Sequence, residues 1–315
     1  MTYNNISIDM MYAIGIDIGG TKIEGSIIDD KGNIHINKRI PTEAEKGKEQ
    51  ILNNLADMIK YLKENSKRDI KGVGISIPGF IDNSGKMIFG GGTLTSLIGI
   101  NLKKELEKRV KLPVFLENDA NCFALAEAVY GAGKGHDIVL GIIWGTGIGG
   151  GIIINRRIYS GTIGGAGEFG HIVIDPTITK GPKCGCGQYA CLEMLTSGKN
   201  ISRIYTQDGG KIKDANPRQI YDSKEKTAQK IITDTIHHLG IGISTLVNVL
   251  NPDIIVIGGG VSQLPSPVYT RLEKEVKRFA LPVLTRNLKI VRHKISDSAG
   301  LLGAAALVFE NKITQ

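Results

Sequence analysis

Residues 15–29 and 141–155 of this chain can be laid over each other without a gap. The first stretch reads Gly-Ile-Asp-Ile-Gly-Gly-Thr-Lys-Ile-Glu-Gly-Ser-Ile-Ile-Asp and the second Gly-Ile-Ile-Trp-Gly-Thr-Gly-Ile-Gly-Gly-Gly-Ile-Ile-Ile-Asn. Each is a strand, a tight glycine turn and a second strand, so the chain is expected to consist of two related halves. A hairpin of this kind in each half would hold a polyphosphate.

The turns give the reason. Gly19, Gly20 and Thr21 in the first copy, and Gly145, Thr146 and Gly147 in the second, lack bulky side chains where a phosphate must approach backbone N–H groups closely. One glycine turn after a strand is also an ordinary hairpin. Two in register favour the phosphate. Asp17 of the first copy is replaced by Ile143 in the second, so only the first half offers a carboxylate beside its turn. One carboxylate suits a Mg²⁺ held mostly through water near the phosphates.

The bulk properties exclude several classes. The 315 residues suggest about two domains. The net charge of +8 is carried by Lys and Arg spread along the chain, which reads as a solvated surface and not a nucleic-acid patch. Met1 to Met11 is polar and does not form a secretory signal; Met10 and Met11 are alternative starts. The uncharged run Ile138 to Ile154 holds six glycines and belongs to the repeat, so no membrane span is expected. Four cysteines make no disulfide framework, and the spacing of three points to metal in a reducing cytoplasm.

Further strands are expected at 33–40, 72–77 and 113–116, with helices at 44–65, 101–109 and 120–130, giving β-β-β-α-β-α-β-α. The second half begins with strands from Ile138 and Gly149, then departs into a glycine- and cysteine-rich insertion at 161–193. A long helix at 223–250, a strand at 254–257, a helix at 267–280, a strand at 288–291 and a helix at 299–309 follow. Alternating strands and helices around mixed sheets make this α/β.

Glu117-Asn118-Asp119 falls where a strand ends and a helix begins, the edge at which α/β sheets place ligand groups. Asp119 can be an N-cap or a base for a hydroxyl, and the helix N-terminus keeps it ionised in either role. His171, Cys184, Cys186 and Cys191 form a His followed by Cys-x-Cys-x₄-Cys. Three thiolates and an imidazole close a tetrahedral zinc site with no place for a catalytic water, so the metal is structural. Glu168 and Glu193 bracket this loop, which zinc would hold rigid. Cys122, among apolar residues, reads as a buried hydrophobe. His35, His136, His237, His238 and His293 read as structural or exposed.

Taken together, these residues resemble the ROK family of sugar kinases, within the larger group that shares an actin-like ATPase fold. The carrying motifs are Asp17-Ile-Gly-Gly-Thr-Lys22, Pro78-Gly79, Glu117-Asn-Asp-Ala-Asn121, Gly145-Thr-Gly-Ile-Gly-Gly-Gly151, Glu168-Phe-Gly-His171, Cys184-Gly-Cys-Gly-Gln-Tyr-Ala-Cys-Leu-Glu193 and Ile257-Gly-Gly-Gly260. They run in family order along nearly the whole chain. Ala190 departs from the pattern, where the family usually has glycine before the last cysteine.

The resemblance implies duplicated ribonuclease-H-like domains with a cleft between them. A smaller domain would span 1–118, with helix 298–315 packing back on it, and a larger one 119–297 with the zinc insertion. It further implies a cytoplasmic, ATP-dependent hexose kinase acting on a sugar 6-hydroxyl, using Mg²⁺ and a structural Zn²⁺. Asp119 would be the general base. Gly79, Asn118, Glu168, His171 and Glu193 would hold the sugar, with His171 also on zinc. Asp17, Gly19, Gly20, Thr21 and Lys22, with Gly145, Thr146 and Gly147, would serve the phosphates, and Gly258, Gly259 and Gly260 would admit the adenosine.

Glucose is the lead substrate. The motif Asn118-Asp-Ala-Asn-Cys-Phe-Ala-Leu-Ala-Glu127 keeps N-acetylglucosamine, N-acetylmannosamine and fructose open, and residues 90–100 lack the Trp of many glucokinases. Sugar-responsive regulators of the family carry a DNA-binding domain, for which the sixteen residues before Asp17 are too few. Family members are commonly homodimers or homotetramers.

Overall fold

A computed structural model describes residues 10–90 and 92–313. Met1, one of the candidate starts, and the last two positions of the expected 298–315 segment lie outside the described residues. The chain divides into two compact units, one of Met1–Cys122, Thr162–Gly164 and Ser296–Gln315, the other of Phe123–Gly161 and Gly165–Ile295.

In the first unit, β1 (Tyr12–Ile18) pairs antiparallel with β2 (Lys22–Asp29), and β2 with β3 (Ile34–Pro41). Helix α1 (Lys48–Ser66) buries Ile51, Leu55, Met58, Ile59 and Leu62, the apolar face its spacing requires. It starts later than expected because Ala44–Lys46 form a 3₁₀ turn ending at Gly47, whose φ of 87° an L side chain rarely adopts. Strand β4 (Ile70–Ile77) lies parallel to β1. A small ribbon of β5 (Gly79–Ile81) and β6 (Met87–Gly90), too short to show periodicity, was not expected. Helix α2 (Leu102–Val110) is capped by the Asn101 carboxamide, which accepts from Lys104 N at 2.9 Å. Strand β7 (Val114–Asn118) completes a sheet of order β3-β2-β1-β4-β7.

Helix α3 (Asp119–Val129) follows directly. The second unit contains β8 (Ile138–Trp144), β9 (Ile148–Ile154) and the short β10 (Arg157–Ile158). Beyond the glycine- and cysteine-rich loop come α4 (Leu192–Thr196), α5 (Gly198–Gln207), α6 (Pro217–Asp222) and α7 (Lys226–Leu250). Strand β11 (Ile254–Gly258), α8 (Ser266–Phe279) and β12 (Lys289–Arg292) end this unit. Its sheet runs β10-β9-β8-β11-β12, the order of the first with the same parallel and antiparallel neighbours. The chain then returns to the first unit as α9 (Ala299–Ile313). Among the described residues no helix is long and apolar enough to cross a membrane.

The two hairpins differ by one residue. Ile18 pairs with Ile23, but Trp144 pairs with Ile148, so four residues separate the paired positions in the first copy and three in the second. The gapless overlay therefore holds through the first strand and slips in the second. A one-residue slip reverses which face each side chain takes. It brings Gly25 and Gly150 to equivalent places, opposite Ile16 and Ile142. A Cβ on Gly25 would meet Met58 of α1 at 2.9 Å, and one on Gly150 would meet Phe169 of the cysteine loop at 2.1 Å.

The first glycine of each copy also admits a helix. A Cβ on Gly15 would lie 2.3 Å from Leu301 O, and one on Gly74 of β4 only 1.7 Å from Ala304 O, so α9 rests its backbone on the first sheet. Its sequence Ala-Gly-Leu-Leu-Gly-Ala-Ala-Ala supplies the small residues this requires. Gly141 is equally closed, by Ala124 of α3 at 2.5 Å.

Candidate active site

Around the first turn, the carbonyls are occupied. Thr42 Oγ1 donates to Gly19 O at 2.7 Å, Thr93 Oγ1 to Gly20 O at 2.9 Å, and Thr42 N to Thr21 O at 3.0 Å. Gly19 N itself donates to Lys22 O at 2.8 Å. The N–H groups of Gly20 and Thr21 have no partner among the described residues. A turn whose oxygens are tied down while its N–H groups stay open is a nest for an anion. Lys22, half exposed, lies 3.9 Å from Glu24.

Asp17 stands at the end of β1. Its Oδ1 accepts from Ser76 Oγ at 2.8 Å, and a Cβ on Gly300, in the first turn of α9, would sit 2.6 Å from its Cγ. Burial lifts this carboxyl above its ordinary range, offset in part by the Ser76 hydroxyl and the Lys22 charge. One carboxylate with one oxygen already fixed fits a Mg²⁺ that keeps most of its waters.

At the end of β7, Asn118 caps the helix, and Asp119 Oδ1 shares one of its donors, accepting from Ala120 N at 2.9 Å. Asn118 Oδ1 accepts from Ala120 N at 2.9 Å and Asn121 N at 3.3 Å, while its Nδ2 donates to Gly79 O at 3.0 Å. Gly79 has φ 132°, and a Cβ there would strike Phe89 O at 2.4 Å. Asn118 thus ties Gly79 to the helix start. Asp119, exposed in the first turn of α3, is held at the positive end of the helix.

The second turn repeats the pattern. Gly145 O accepts from Gly198 N at 2.8 Å, Thr146 O from Lys199 N at 3.4 Å, and Gly147 O from Gly145 N at 3.0 Å. The N–H groups of Thr146 and Gly147 have no partner among the described residues. Gly145 and Thr146 border a cavity of about 550 Å³, closed by Lys199, Asn216, Arg218, Gly260 and Gln263. That is room for a nucleoside. Of the three glycines at the end of β11 and just beyond it, only Gly260 lines it. Gly258 makes way for the Phe123 ring at 2.5 Å, and Gly259, at φ 85°, for Trp144 O at 2.6 Å.

The loop after β10 brings the four predicted metal ligands together. The ligand atoms of His171, Cys184, Cys186 and Cys191 all lie within 4.8 Å of one another, with His171 Nδ1 3.4 Å from Cys184 Sγ. Tetrahedral zinc, about 2.3 Å from sulfur and about 2.0 Å from nitrogen, separates its ligands by about 3.5–3.8 Å, so small side-chain shifts complete the site. Burial raises the Cys184 thiol and pushes that of Cys191 up to about 12. Ala190 does not disturb the loop: its carbonyl accepts from Ile174 N at 2.9 Å.

The other imidazole nitrogen, His171 Nε2, lies 3.5 Å from Glu168 Oε2. Burial raises the Glu168 carboxyl, the His171 charge opposes this, and the Glu193 charge adds to it. Glu193 Oε2 accepts from Ile148 N at 2.9 Å, beside Gly147. Glu168, His171 and Glu193 therefore form one polar group against the second turn.

The sequence model of the ROK family matches residues 13–311. The chain belongs to the ROK family. Among ROK relatives, the glucokinase of Halalkalibacterium halodurans is 34% identical over 313 residues, 94% of this chain and 94% of that protein. The N-acetyl-D-glucosamine kinase of Citrobacter koseri is 32% identical over 302 residues, 93% of this chain and 98% of that one. A solved structure of a ROK family glucokinase from Streptomyces griseus, in complex with glucose and AMPPNP, is 30% identical with a TM-score of 0.74, covering 95% of this chain and 99% of that one. The two α/β units with mixed sheets are the actin-like ATPase architecture of ROK sugar kinases.

Sequence reasoning missed Lys199, Asn216, Arg218 and Gln263, and the helices α5, which carries Lys199, and α6, which Asn216 caps and which carries Arg218. A signal for α6 was present in Asn216-Pro217-Arg218-Gln219. Asn216 Oδ1 accepts from Gln219 N at 2.9 Å and Gln219 Oε1 from Asn216 N at 3.0 Å, a capping box with proline at the first helical position.

Proposed function

We propose that this chain is an ATP-dependent hexose kinase that transfers the γ-phosphate to the 6-hydroxyl of an aldohexose, with glucose as lead substrate. The observation that carries the reading is the position of Glu193. One of its carboxylate oxygens holds Ile148 N at the phosphate turn, and its charge acts on Glu168. Groups suited to ring hydroxyls thus stand beside N–H groups suited to phosphate, in one unit. The similarity to a glucokinase bound to glucose and AMPPNP supports the same pairing of substrates.

In this reading Asp119 accepts the 6-hydroxyl proton as that oxygen bonds to the γ-phosphorus and the bond to ADP breaks. Glu168, His171 and Glu193, with Gly79 held by Asn118, orient the sugar. The turns at Gly19 to Lys22 and Gly145 to Gly147 bind phosphate oxygens, and the cavity edged by Gly260 takes the adenosine. Catalysis is positioning plus electrostatic stabilisation. Mg²⁺, when bound near Asp17, neutralises phosphate charge. His171, Cys184, Cys186 and Cys191 would hold zinc, which would fix the imidazole tautomer and leave Nε2 for the sugar.

N-acetylglucosamine is the second reading, favoured by the N-acetyl-D-glucosamine kinase relative. Measuring kcat/KM with ATP across glucose, N-acetylglucosamine, N-acetylmannosamine, mannose and fructose decides between them; turnover of none would overturn the kinase assignment. A homodimer or homotetramer in a reducing cytoplasm, with no nucleic-acid or membrane partner, completes the proposal.

A further inference from the structure

The first copy of the repeat carries Lys22 at its turn, whereas the second, Gly145-Thr-Gly-Ile-Gly149, carries no cation. A polyphosphate bound there would meet N–H groups alone on the hairpin itself. Lys199 stands beside that turn. Its backbone N–H donates to Thr146 O, and its exposed side chain borders the same cavity as Gly145 and Thr146. Among the described residues its ammonium has no ion-pair partner. The cavity's other cation, Arg218, is engaged with Asp222 at 2.7 Å, and no acidic residue lines the cavity.

Position adds to this. Lys199 is the second residue of α5, in the turn where a helix presents its positive end and favours acidic side chains. A cation there is mildly unfavourable to the helix, and an anion bound at the same end offsets it. We propose that Lys199 binds an α- or β-phosphate oxygen of the nucleotide, supplying from α5 the charge that the second hairpin lacks. This rests on the ATP-dependent reading of the cavity. Lys199 thereby distinguishes a nucleotide from a nucleoside, while the carboxamides of Asn216 and Gln263 line the same cavity.

Isothermal titration of AMPPNP with magnesium, and separately of adenosine, into wild type, Lys199→Ala and Lys199→Arg tests this. A charge-assisted contact at a partly open site predicts about tenfold weaker AMPPNP binding for Lys199→Ala. Adenosine binding should stay within about twofold, Lys199→Arg should recover most of the loss, and added salt should narrow the difference as exposed charges are screened. Equal AMPPNP affinity in wild type and Lys199→Ala overturns the inference and leaves the kinase reading intact. An equal loss of adenosine overturns it too, because the residue would then act on the cavity's shape. A wild-type chain that binds no AMPPNP overturns the nucleotide reading and the role of Lys199 together.

Discussion

Replacing Glu127 should cost the second unit more stability than replacing any of its exposed charges. The side chain is fully buried in α3, and both oxygens accept backbone N–H groups. Ala132 N donates at 2.7 Å, Ile295 N at 2.7 Å, and Lys294 N at 3.1 and 3.2 Å. Glu127→Ala orphans three donors at about 1–3 kcal/mol each; water reaching the partly open Ala132 and exposed Lys294 favours the low end, giving about 3–4 kcal/mol. Glu127→Gln keeps the shape but turns one end into a donor facing donors, for about 2 kcal/mol. The assay is urea unfolding followed by fluorescence of Trp144, the only tryptophan, which is 1% exposed in the same unit and donates to Thr196 O at 2.7 Å. With a slope of about 2 kcal/mol per molar urea, the midpoints should fall by about 1.5–2 M and about 1 M. A glutamine variant as stable as wild type would refute the claim that acceptance of N–H groups is what the position needs.

Asp119→Asn should keep sugar affinity, read by titration, while turnover falls by about 10²–10⁴. Full activity would remove Asp119 from proton transfer. Gly300→Ala should leave the fold intact by circular dichroism yet lower kcat by about 10², because its Cβ would displace the Asp17 carboxylate; unchanged kcat would separate Asp17 from catalysis. Chelation should release zinc and raise the sugar KM, and zinc added back at pH 7 should liberate about three protons per chain, since burial keeps thiols such as Cys191 protonated without metal. Normal KM in a zinc-free sample would exclude His171 from sugar binding. Burial alone would raise the Asp29 carboxyl, but hydrogen bonds from Asn33, His35 and Lys31 outweigh it and hold the group below its ordinary 3.8. A depressed folded value stabilises above the unfolded value and is lost as pH falls through the folded one. Asp29→Asn should therefore flatten the acid limb of the Tm profile below about pH 4, and an unaltered limb would contradict the assignment.

Both hairpins and the grouping of the metal ligands were legible because each is local: a turn needs its glycines in sequence, and zinc its ligands on one loop. The one-residue slip was not, since Ile23 and Ile148 choose their partners through the length of the turn. The packing glycines were equally hidden. Gly15 answers to Leu301, Gly141 to Ala124 and Gly258 to Phe123, and no spacing rule connects positions so far apart in the chain. Asp119 lies at the sheet edge where the sequence put it, but that Asn118 caps the helix beside it depends on a carbonyl at Gly79. Lys199 was invisible for a related reason. Its neighbours in sequence belong to α5, and its relevance comes from Thr146, across the unit.

The seating of α9 on the first sheet sets an order of events during synthesis. Gly15 and Gly74 lie bare until Leu301 and Ala304, more than 220 residues further along the chain, have been translated. The second unit, ending at Ile295, can be complete before then. Domains usually fold in the order they are made; here the half begun first must wait for its lid to be translated. A truncated or stalled chain would present an uncovered face of a mixed sheet, a surface that invites capture by chaperones or association with other nascent chains.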